Sequence, residues 1–455
     1  MSPSEITRAA VDDYHSLLAA GDPLAEWEQL HEDLERRNLR FKERPICTVL
    51  RPVFMPRAQY EHLRLASEGF LQALALVYQT LMADSALRRR IGVTSEEEQL
   101  LVLDPGYPSP DGFTRLDGFL NAAGDLRFIE YNAESPGGLA FADALSEVFE
   151  QLPTFRRFAS RWPVTRFQTR RTLLDTLLSH YRQWGGRQTP TIAIVDWHTG
   201  VGTSAEFALC QQSFEAAGIP TIITSPEALE LRGGRLFDSQ NGRVVDLIYK
   251  RVITGELLDR MGPDNILARA VATRAACMVN SFRGQLLFKK AIFALLSEWL
   301  AARRFPVGVA VILGRHLPWT RILAEGSVEV DGGQVDLLRF AVAERESLAL
   351  KPNSGYGGRG VVLGWESAPD AWERALNLAL QSEQPYVLQR RVEMAAQSFP
   401  LIKAGRLQIE PRLMDVDPYC HRGQRVEGAG VRLGSGGILN VTAGGGSAAP
   451  LWVLE

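Results

Sequence analysis

Cysteine is scarce in this sequence: 455 residues include only four, Cys47, Cys210, Cys277 and Cys420, and no Cys-x-x-Cys pair. A disulfide framework or a cysteine-rich zinc site needs thiols in closer spacing, so both are disfavoured. An excess of one charge is also lacking, because the formal net charge is -3. A nucleic-acid-binding protein usually shows a basic patch. We therefore predict buried free thiols and no nucleic-acid partner.

Long apolar runs are absent as well. No run reaches the roughly 18 residues that a membrane-spanning helix needs. Residues 1–8 lack the apolar core of a signal peptide. We expect a cytoplasmic protein without a membrane partner. Hydrophobic residues make up 45% of the chain and charged residues 23%, as in ordinary globular proteins. A chain of 455 residues is too long for one core, so two or three domains are expected.

Hydrophobic periodicity predicts the order of helices and strands. Helices are expected at 4–38, 59–90, 141–151, 205–217, 255–261, 280–300 and 369–381, and strands at 46–54, 100–104, 191–197, 219–224, 244–251, 307–313, 349–352, 361–364 and 386–392. Between 191 and 261, strands alternate with helices over short connections, which is typical of a doubly wound α/β unit. The glycines in loop 198–204 are too weak a pattern to name a nucleotide site. The remainder, 398–453, alternates apolar runs with glycine turns, as an antiparallel sheet does.

Residues 113–138 contain two alternating apolar and polar runs around a short turn, which predicts a β-hairpin. Side chains alternate between the two faces of a strand, so Arg115 and Asp117 share one face, as do Glu130 and Asn132. With both pairs on one side, the hairpin presents two carboxylates, an amide and a guanidinium. Such oxygens suit Mg²⁺, which binds through one or two carboxylates and substrate phosphates. A solvated hairpin face is the competing interpretation.

A second pattern begins at Lys351, which ends a predicted strand and is followed by the glycine-rich segment 355–360. Glycines let backbone N–H groups approach phosphate oxygens, and a lysine adds a fixed positive charge. The pattern is neither the P-loop nor the dinucleotide fingerprint. A glycine turn without a ligand therefore stays open. The strand 385–392 follows and could contact adenine through its backbone.

Together the two segments resemble the ATP-grasp superfamily, specifically its circularly permuted branch, which includes glutathionylspermidine synthase-like ligases. The motifs that carry the resemblance are Lys351-Pro352, the glycine segment 355–360, the hinge 386–392, Arg115-Leu-Asp117 and the segment 129–137, Ile-Glu-Tyr-Asn-Ala-Glu-Ser-Pro-Gly. Residues 432 and 440–446 resemble the closing segment of such ligases. The metal motif precedes the lysine motif here, which is why the order is permuted. The resemblance covers most of residues 105–455.

The resemblance implies an α/β (α+β) ATP-grasp fold in permuted order with a Rossmann-like α/β domain. Residues 1–165 would form an N-terminal helical region plus the metal-binding hairpin. Residues 166–285 would form the Rossmann-like substrate domain, and residues 286–455 the ATP-grasp subdomains.

The resemblance also implies an ATP-dependent carboxylate–amine ligase that works through an acylphosphate with Mg²⁺. Its substrates would be a small carboxylate and an amine, such as an amino acid or a peptide. The implied residues are Asp117, Glu130 and Asn132 for the metal, Arg115 and Arg432 for catalysis, and Lys290, Lys351, Tyr356, Gly357, Gly358, Gln389, Val392 and Glu393 for the nucleotide.

Several alternatives remain open. A phosphotransferase that stops after phosphate transfer, or an inactive nucleotide-binding scaffold, would have the same motifs. Lys290 could be a solvated helix lysine, Glu393 a surface charge, and Arg432 a partner of Glu427 alone. No amidase-like Cys/His domain is present, so a polyamine or glutathione substrate does not follow.

Overall fold

A computed structural model describes residues 2–41, 44–197, 204–355, 357–436, 439 and 446–455. Its first elements are α1 (Pro3–Ala19), α2 (Pro23–Arg36), β1 (Arg40–Phe41), β2 (Arg44–Pro45), β3 (Val53–Pro56), α3 (Arg57–Ala83), α4 (Ser85–Arg90), α5 (Ser95–Leu101), β4 (Phe113–Leu120), β5 (Leu126–Asn132), α6 (Leu139–Phe149), α7 (Pro153–Ala159) and β6 (Val164–Thr165). The predicted helices and hairpin of this part are present. The predicted strand 46–54 is largely irregular, and regular pairing begins only at β3.

The middle of the chain forms α8 (Thr169–Trp184), β7 (Ile192–Val195), α9 (Ser204–Ala216), β8 (Thr221–Thr224), β9 (Leu229–Arg232), β10 (Arg235–Asp238), β11 (Val244–Val245), β12 (Leu247–Lys250), α10 (Thr254–Met261), α11 (Ile266–Ala272) and β13 (Cys277–Val279), with a short 3₁₀ turn at Pro226–Ala228. The predicted alternation of strands and helices is confirmed. The glycine loop at 198–203 lies outside the described residues.

The last part contains α12 (Gly284–Phe288), α13 (Ala291–Ala301), α14 (Val307–His316), β14 (Thr320–Ile322), β15 (Ser327–Val330), β16 (Gly333–Asp336), α15 (Leu337–Ala343), β17 (Leu348–Pro352), β18 (Val362–Leu363), α16 (Pro369–Leu380), β19 (Tyr386–Arg390), β20 (Ala396–Lys403), β21 (Arg406–Met414), β22 (Asp417–His421), β23 (Arg425–Gly430), β24 (Arg432–Gly434), β25 (Ser447–Ala448) and β26 (Leu451–Leu454). Two 3₁₀ turns, Arg345–Ser347 and Gly364–Glu366, flank β17 and β18.

Two predicted strands are helices. The segment 307–313 forms α14 because its buried residues, Val309, Leu313 and His316, recur at helical spacing while Val307 and Val311 are exposed. Residues 100 and 101 of the predicted strand 100–104 are the last residues of α5, and 102–104 form the turn that follows it. That helix starts at a capping box in which the Thr94 and Glu97 side chains bond to each other's backbone N–H. An apolar run alone did not distinguish these short helices from strands.

The predicted helix 280–300 is interrupted between α12 and α13. Lys289 adopts an extended backbone conformation, and Lys290 caps the next helix. The Asn353 side chain, which is fully buried, accepts a hydrogen bond from the Ala291 N–H at 2.9 Å and donates one to the Ile91 carbonyl at 2.8 Å. The Asn353 carbonyl also accepts from the Lys290 N–H at 3.0 Å. The break thus fixes Lys290 beside the segment that follows Lys351.

Three sheets position the candidate site. The hairpin strands β4 and β5 join an antiparallel sheet of order β23-β22-β4-β5. A second antiparallel sheet of order β14-β19-β17-β18 carries Lys351 at the end of β17. A fully parallel sheet of order β13-β12-β7-β8 lies in the middle of the chain, as predicted from its continuous apolar strands.

The C-terminal strands β20 to β25 pair in antiparallel fashion, as predicted for 398–453. The last strand, β26, differs because it pairs in parallel with β3 and so joins the two ends of the chain. One large hydrophobic cluster runs from the N-terminal helices through the hairpin to β26, and two smaller clusters surround the parallel sheet and the Lys351 sheet. All four cysteines are buried free thiols, as predicted. No helix in the described part of the chain is long and apolar enough to cross a membrane.

Candidate active site

A cavity of about 150 Å³, partly open to solvent, lies between the hairpin and the Lys351 sheet. The predicted site residues that line it are Arg115, Asp117, Glu130, Asn132, Lys290, Lys351, Gly357, Gly358, Gln389, Val392 and Arg432. Segments that are far apart in the chain therefore meet at one place. Glu393 instead lines a neighbouring cavity with residues of the hairpin turn. Tyr356 lies outside the described residues.

The hairpin register brings the four polar residues of the metal motif together. Asp117 is paired with Glu130, and Arg115 is paired with Asn132. A register irregularity after Asp117 ends the regular alternation at Gly118. The two carboxylates, the amide and the guanidinium all line the cavity, as the alternation of side chains predicted.

Two carboxylates that the sequence analysis did not single out lie beside this motif. Asp417, the first residue of β22, and Asp415, two residues before it, are fully buried. Arg432 donates from Nε to Asp415 at 2.7 Å, and its Nη2 lies 3.0 Å from Asp417 Oδ2. Arg432 does not pair with Glu427, which instead accepts from Thr172 and Arg425. The Asp-Val-Asp alternation at 415–417 was the available sequence signal.

Asp117 stands at the centre of this charged group. Arg115 donates to it twice, from Nε to Oδ1 at 2.7 Å and from Nη2 to Oδ2 at 2.9 Å. Asn132 Nδ2 donates to Oδ1 at 2.8 Å, and Arg432 Nη2 donates to Oδ2 at 2.8 Å. Burial opposes ionisation, but the Arg115 and Arg432 guanidiniums hold the pKa of the Asp117 carboxyl below its ordinary value. Burial raises the pKa of Asp415 to about 6 and raises that of Asp417 well above its usual range.

The two adjacent lysines at the helix break have different environments. Lys289 is fully buried and pairs with Glu97 at 2.9 Å. Lys290 is 6% exposed, lines the cavity, donates to the Gly355 carbonyl and lies 3.4 Å from Glu130 Oε1. The structure therefore places Lys290 at the site and Lys289 in a buried ion pair.

These two lysines make a matched pair of variants. Lys289→Met leaves Glu97 without its cation, so we expect a stability loss of about 3 kcal/mol with nucleotide affinity little changed. Lys290→Met removes a cavity cation, so we expect about tenfold weaker binding of a Mg²⁺–ATP analogue with an unchanged melting temperature. Calorimetry and thermal unfolding measure both. If Lys289→Met weakened nucleotide binding and Lys290→Met lowered the stability, the environments assigned to the two lysines would be wrong.

Lys351 lies at the centre of the same wall. Its Nζ donates to Gln389 Oε1 at 2.6 Å, and the Gln389 amide donates to Thr320 at 3.2 Å. Burial lowers the pKa of Lys351 to about 8, with Lys290 adding to the effect and Glu130 opposing it. Lys351 therefore carries its charge at neutral pH and loses it just above.

Part of the cavity lining is apolar and includes Ala349, Leu363, Trp365 and Met394. Val392, which follows β19, also lines the cavity, and its N–H meets no acceptor among the described residues. Apolar side chains together with an unpaired backbone donor can hold a planar heterocycle.

Both ends of the hairpin are anchored to the parallel sheet. The buried Asn280 side chain, just after β13, accepts from the Gly112 and Phe113 N–H groups at 2.9 Å. Its Nδ2 donates to the Ala133 carbonyl at 3.2 Å. Glu134 receives Lys250 Nζ at 2.8 Å, and both side chains are 0% exposed. These contacts fix the position of the motif, so its polar face is held against the cavity.

Two of the three predicted metal ligands have oxygens available to a divalent cation. Asn132 uses Nδ2 on Asp117, and its Oδ1 has no donor among the described residues. Glu130 forms an ion pair with Lys290 and also interacts electrostatically with Lys351. These two oxygens fit Mg²⁺. Asp117 does not, since both its oxygens are occupied by Arg115, Arg432 and Asn132. Across the described residues, no group of three or more His, Cys, Asp and Glu side chains is arranged to hold a metal.

The chain was compared with known proteins. No protein-family model and no curated protein matches it. Among solved structures it is similar to a glutathione synthetase like-effector from Globodera pallida in apoform, at 12% identity over 100% of this chain and 98% of that chain, with a TM-score of 0.58. It is similar at lower scores to a putative gamma-glutamylcysteine synthetase from Methylobacillus flagellatus (11% identity, 84% and 88% covered, TM-score 0.40). D-alanyl-alanine synthetase A from Vibrio cholerae follows (15% identity, 50% and 68% covered, TM-score 0.27).

The TM-scores of the second and third structures, 0.40 and 0.27, are too low to indicate a shared fold. At 12% identity the first likeness concerns the fold alone. It does not extend to a permuted order of elements or to glutathionylspermidine synthase. Over its whole length the chain thus has the mixed α/β fold of a glutathione synthetase-like protein.

Proposed function

We propose that the protein is an ATP-dependent carboxylate–amine ligase of the ATP-grasp type. The observation that best supports this proposal is the excess of positive charge in the cavity lining. Its described lining includes seven cations (Arg115, Lys290, Lys351, Arg359, Arg390, Arg391 and Arg432) and only three carboxylates (Asp117, Glu130 and Asp415). The chain as a whole has a formal net charge of -3. A cationic cavity in a slightly acidic protein suits a polyanion such as a triphosphate.

The surroundings of the cations support a nucleotide. Lys351 and Lys290 line the cavity together with Gly357 and Gly358, and in this proposal the two lysines contact the phosphates. In this proposal adenine contacts the apolar part of the lining together with Val392 and Gln389. A ribose role for Glu393 remains a proposal, although its side chain lines the neighbouring cavity. The fold shared with a synthetase-like protein supports a ligase.

In the proposed reaction a substrate carboxylate oxygen bonds to the γ-phosphorus of ATP. The bond from that phosphorus to the β,γ-bridging oxygen breaks, and ADP leaves with the electron pair. An amine nitrogen then attacks the acyl carbon of the acylphosphate, inorganic phosphate leaves, and the amine proton passes to solvent. Phosphoryl transfer depends on alignment and charge neutralisation.

The chain's own residues would supply most of that neutralisation. Arg115 and Arg432 would donate to the transferred phosphoryl group and to the oxyanion formed at the acyl carbon. Glu130 and Asn132 would hold Mg²⁺, which neutralises phosphate charge when bound. We further propose the permuted element order and the three-part division at 165 and 285, with the parallel sheet as a Rossmann-like substrate domain.

The test is a reaction with pooled substrates. The protein, ATP and Mg²⁺ are incubated with a library of carboxylates and amines, and products are analysed by mass spectrometry. We expect ADP, phosphate and a product with the mass of an amide. A phosphorylated acid without an amide would instead indicate a phosphotransferase. Nucleotide binding without any product would indicate an inactive scaffold, and failure to bind nucleotide contradicts all three.

The charge on Lys351 predicts a pH dependence. Its pKa is lowered to about 8, with Glu130, Lys290 and Asp117 as the charged groups around it. Only the protonated amine attracts phosphate, so affinity for a non-hydrolysable ATP analogue should fall above pH 8, by up to about tenfold per pH unit. Calorimetry between pH 6.5 and 9.5 measures this. Lys351→Met should bind weakly with a flat profile, and a flat wild-type profile would contradict the assignment.

A further inference from the structure

Asp117 has the wrong surroundings for a metal ligand. A carboxylate offers about four lone-pair sites. All four are used here, by two N–H groups of Arg115, one of Arg432 and one of Asn132. Glu130, its cross-strand partner, is not held by an arginine in the described part of the chain: it forms an ion pair with Lys290 at 3.4 Å and interacts electrostatically with Lys351. Asp117 and Glu130, the two paired carboxylates of the hairpin, thus have different environments.

The contacts of Asp117 instead bring two guanidiniums together. Arg115 Nη2 and Arg432 Nη2 donate to the same oxygen, Asp117 Oδ2, at 2.9 and 2.8 Å. Two cations lie side by side at such a point only when carboxylates compensate them. Asp415 adds to this compensation, because it accepts from Arg432 Nε at 2.7 Å. Asp417 Oδ2 lies 3.7 Å from Arg115 Nε and 3.0 Å from Arg432 Nη2, so this side chain contacts both guanidiniums.

The guanidiniums keep donors for a ligand. Arg432 Nη1 has no partner among the described residues, because this residue donates from its backbone N–H, Nε and Nη2. Arg115 uses Nη1 once, on the Gly137 carbonyl at 2.8 Å, which leaves one N–H on that atom. Both residues line the cavity. Adjacent, planar N–H groups of this kind match the oxygens of a tetrahedral phosphoryl group.

We propose that Asp117 is a positioning residue that, with Asp415 and Asp417, holds Arg115 and Arg432 as a paired clamp for a phosphoryl group. The divalent cation is then held by Glu130, Asn132 and the phosphate oxygens of the nucleotide. The ligand class follows from the proposed function, but the arrangement of the five side chains does not depend on it.

A metal-binding measurement distinguishes a positioning role of Asp117 from a role as a metal ligand. The full chain is titrated with Mn²⁺ in the presence of a non-hydrolysable ATP analogue, and free Mn²⁺ is read by electron paramagnetic resonance. Asp117→Asn should keep the Mn²⁺ affinity within about threefold while turnover falls at least a hundredfold. Glu130→Gln should lose at least tenfold in Mn²⁺ affinity. Asp125→Asn, the same change in the exposed hairpin turn, should alter neither. Equal loss of Mn²⁺ affinity in Asp117→Asn and Glu130→Gln would overturn the proposal.

A second measurement needs no nucleotide. Phenylglyoxal modifies arginines, and peptide mapping by mass spectrometry gives the rate at each residue. Asp117→Asn should speed modification of both Arg115 and Arg432 several-fold, because each loses its carboxylate partner. Asp415→Asn should speed that of Arg432 alone, and this variant also serves if Asp117→Asn does not fold.

Unchanged rates at both arginines in Asp117→Asn would overturn the positioning role. A wild-type protein that binds no ATP analogue would overturn the proposed function instead. The arginine rates would still decide what Asp117 does, so the two failures are distinguishable.

Discussion

Glu130→Gln is expected to lower turnover on the order of 10²–10³-fold while the protein folds normally. Glu130 lines the cavity, is 20% exposed and forms an ion pair with Lys290 at 3.4 Å, with Lys351 also acting on it electrostatically. The substitution keeps the shape of the side chain and removes the charge that would hold the cation. ADP formation under saturating substrates and the melting temperature measure the two effects.

The melting temperature of Glu130→Gln is expected to stay within a few degrees of the wild type. A large fall would show that Glu130 belongs to a structural network. Unchanged turnover in a folded variant would show that Glu130 has no role in the active site.

Glu134→Gln should have the reverse effect and destabilise the protein by about 3–5 kcal/mol. Glu134 lies four residues after Glu130 but is 0% exposed, as is its partner Lys250. It also accepts from the Thr254 N–H at 3.2 Å and from the Thr254 hydroxyl. Neutralising it leaves a buried ammonium without its counter-charge. Urea unfolding and the melting temperature measure the loss.

Arg64→Met is the control for that variant. Arg64 forms an exposed pair with Glu61 at 2.8 Å, where the side chains are 33% and 40% exposed. Such pairs contribute about 0–1 kcal/mol. A similar small loss in Glu134→Gln would mean that the Lys250 pair does not anchor the hairpin.

The hairpin and the glycine segment were predictable because local pattern determines them. Strand alternation placed Arg115, Asp117, Glu130 and Asn132 on one face, and the register agrees. The lysine before the glycines also lies where the pattern put it, at the end of β17. Each of these features depends on residues within one short segment.

Other features depend on contacts between distant segments. Lys289 and Lys290 are equivalent in sequence, and only the packing of Glu97 and Asn353 separates their roles. Arg432 joins Asp415 and Asp117 by donating to both, and no local sequence pattern predicts that these three residues meet.

The secondary-structure errors have a similar cause. The run 307–313 is apolar enough for a strand, but it packs as a helix with one buried face. Short apolar runs are ambiguous until their neighbours are known. The parallel pairing of β26 with β3 likewise joins two ends of the chain that carry no common pattern.

The most direct test of the account is calorimetric titration of the wild-type protein with a Mg²⁺ complex of a non-hydrolysable ATP analogue. We predict one site per chain with a dissociation constant between about 1 μM and 1 mM, in the range of enzyme–substrate affinities. The same titration with Lys351→Met should be at least tenfold weaker, which would locate the nucleotide in the cavity. Absence of binding by the wild-type protein at millimolar ligand would contradict the central claim.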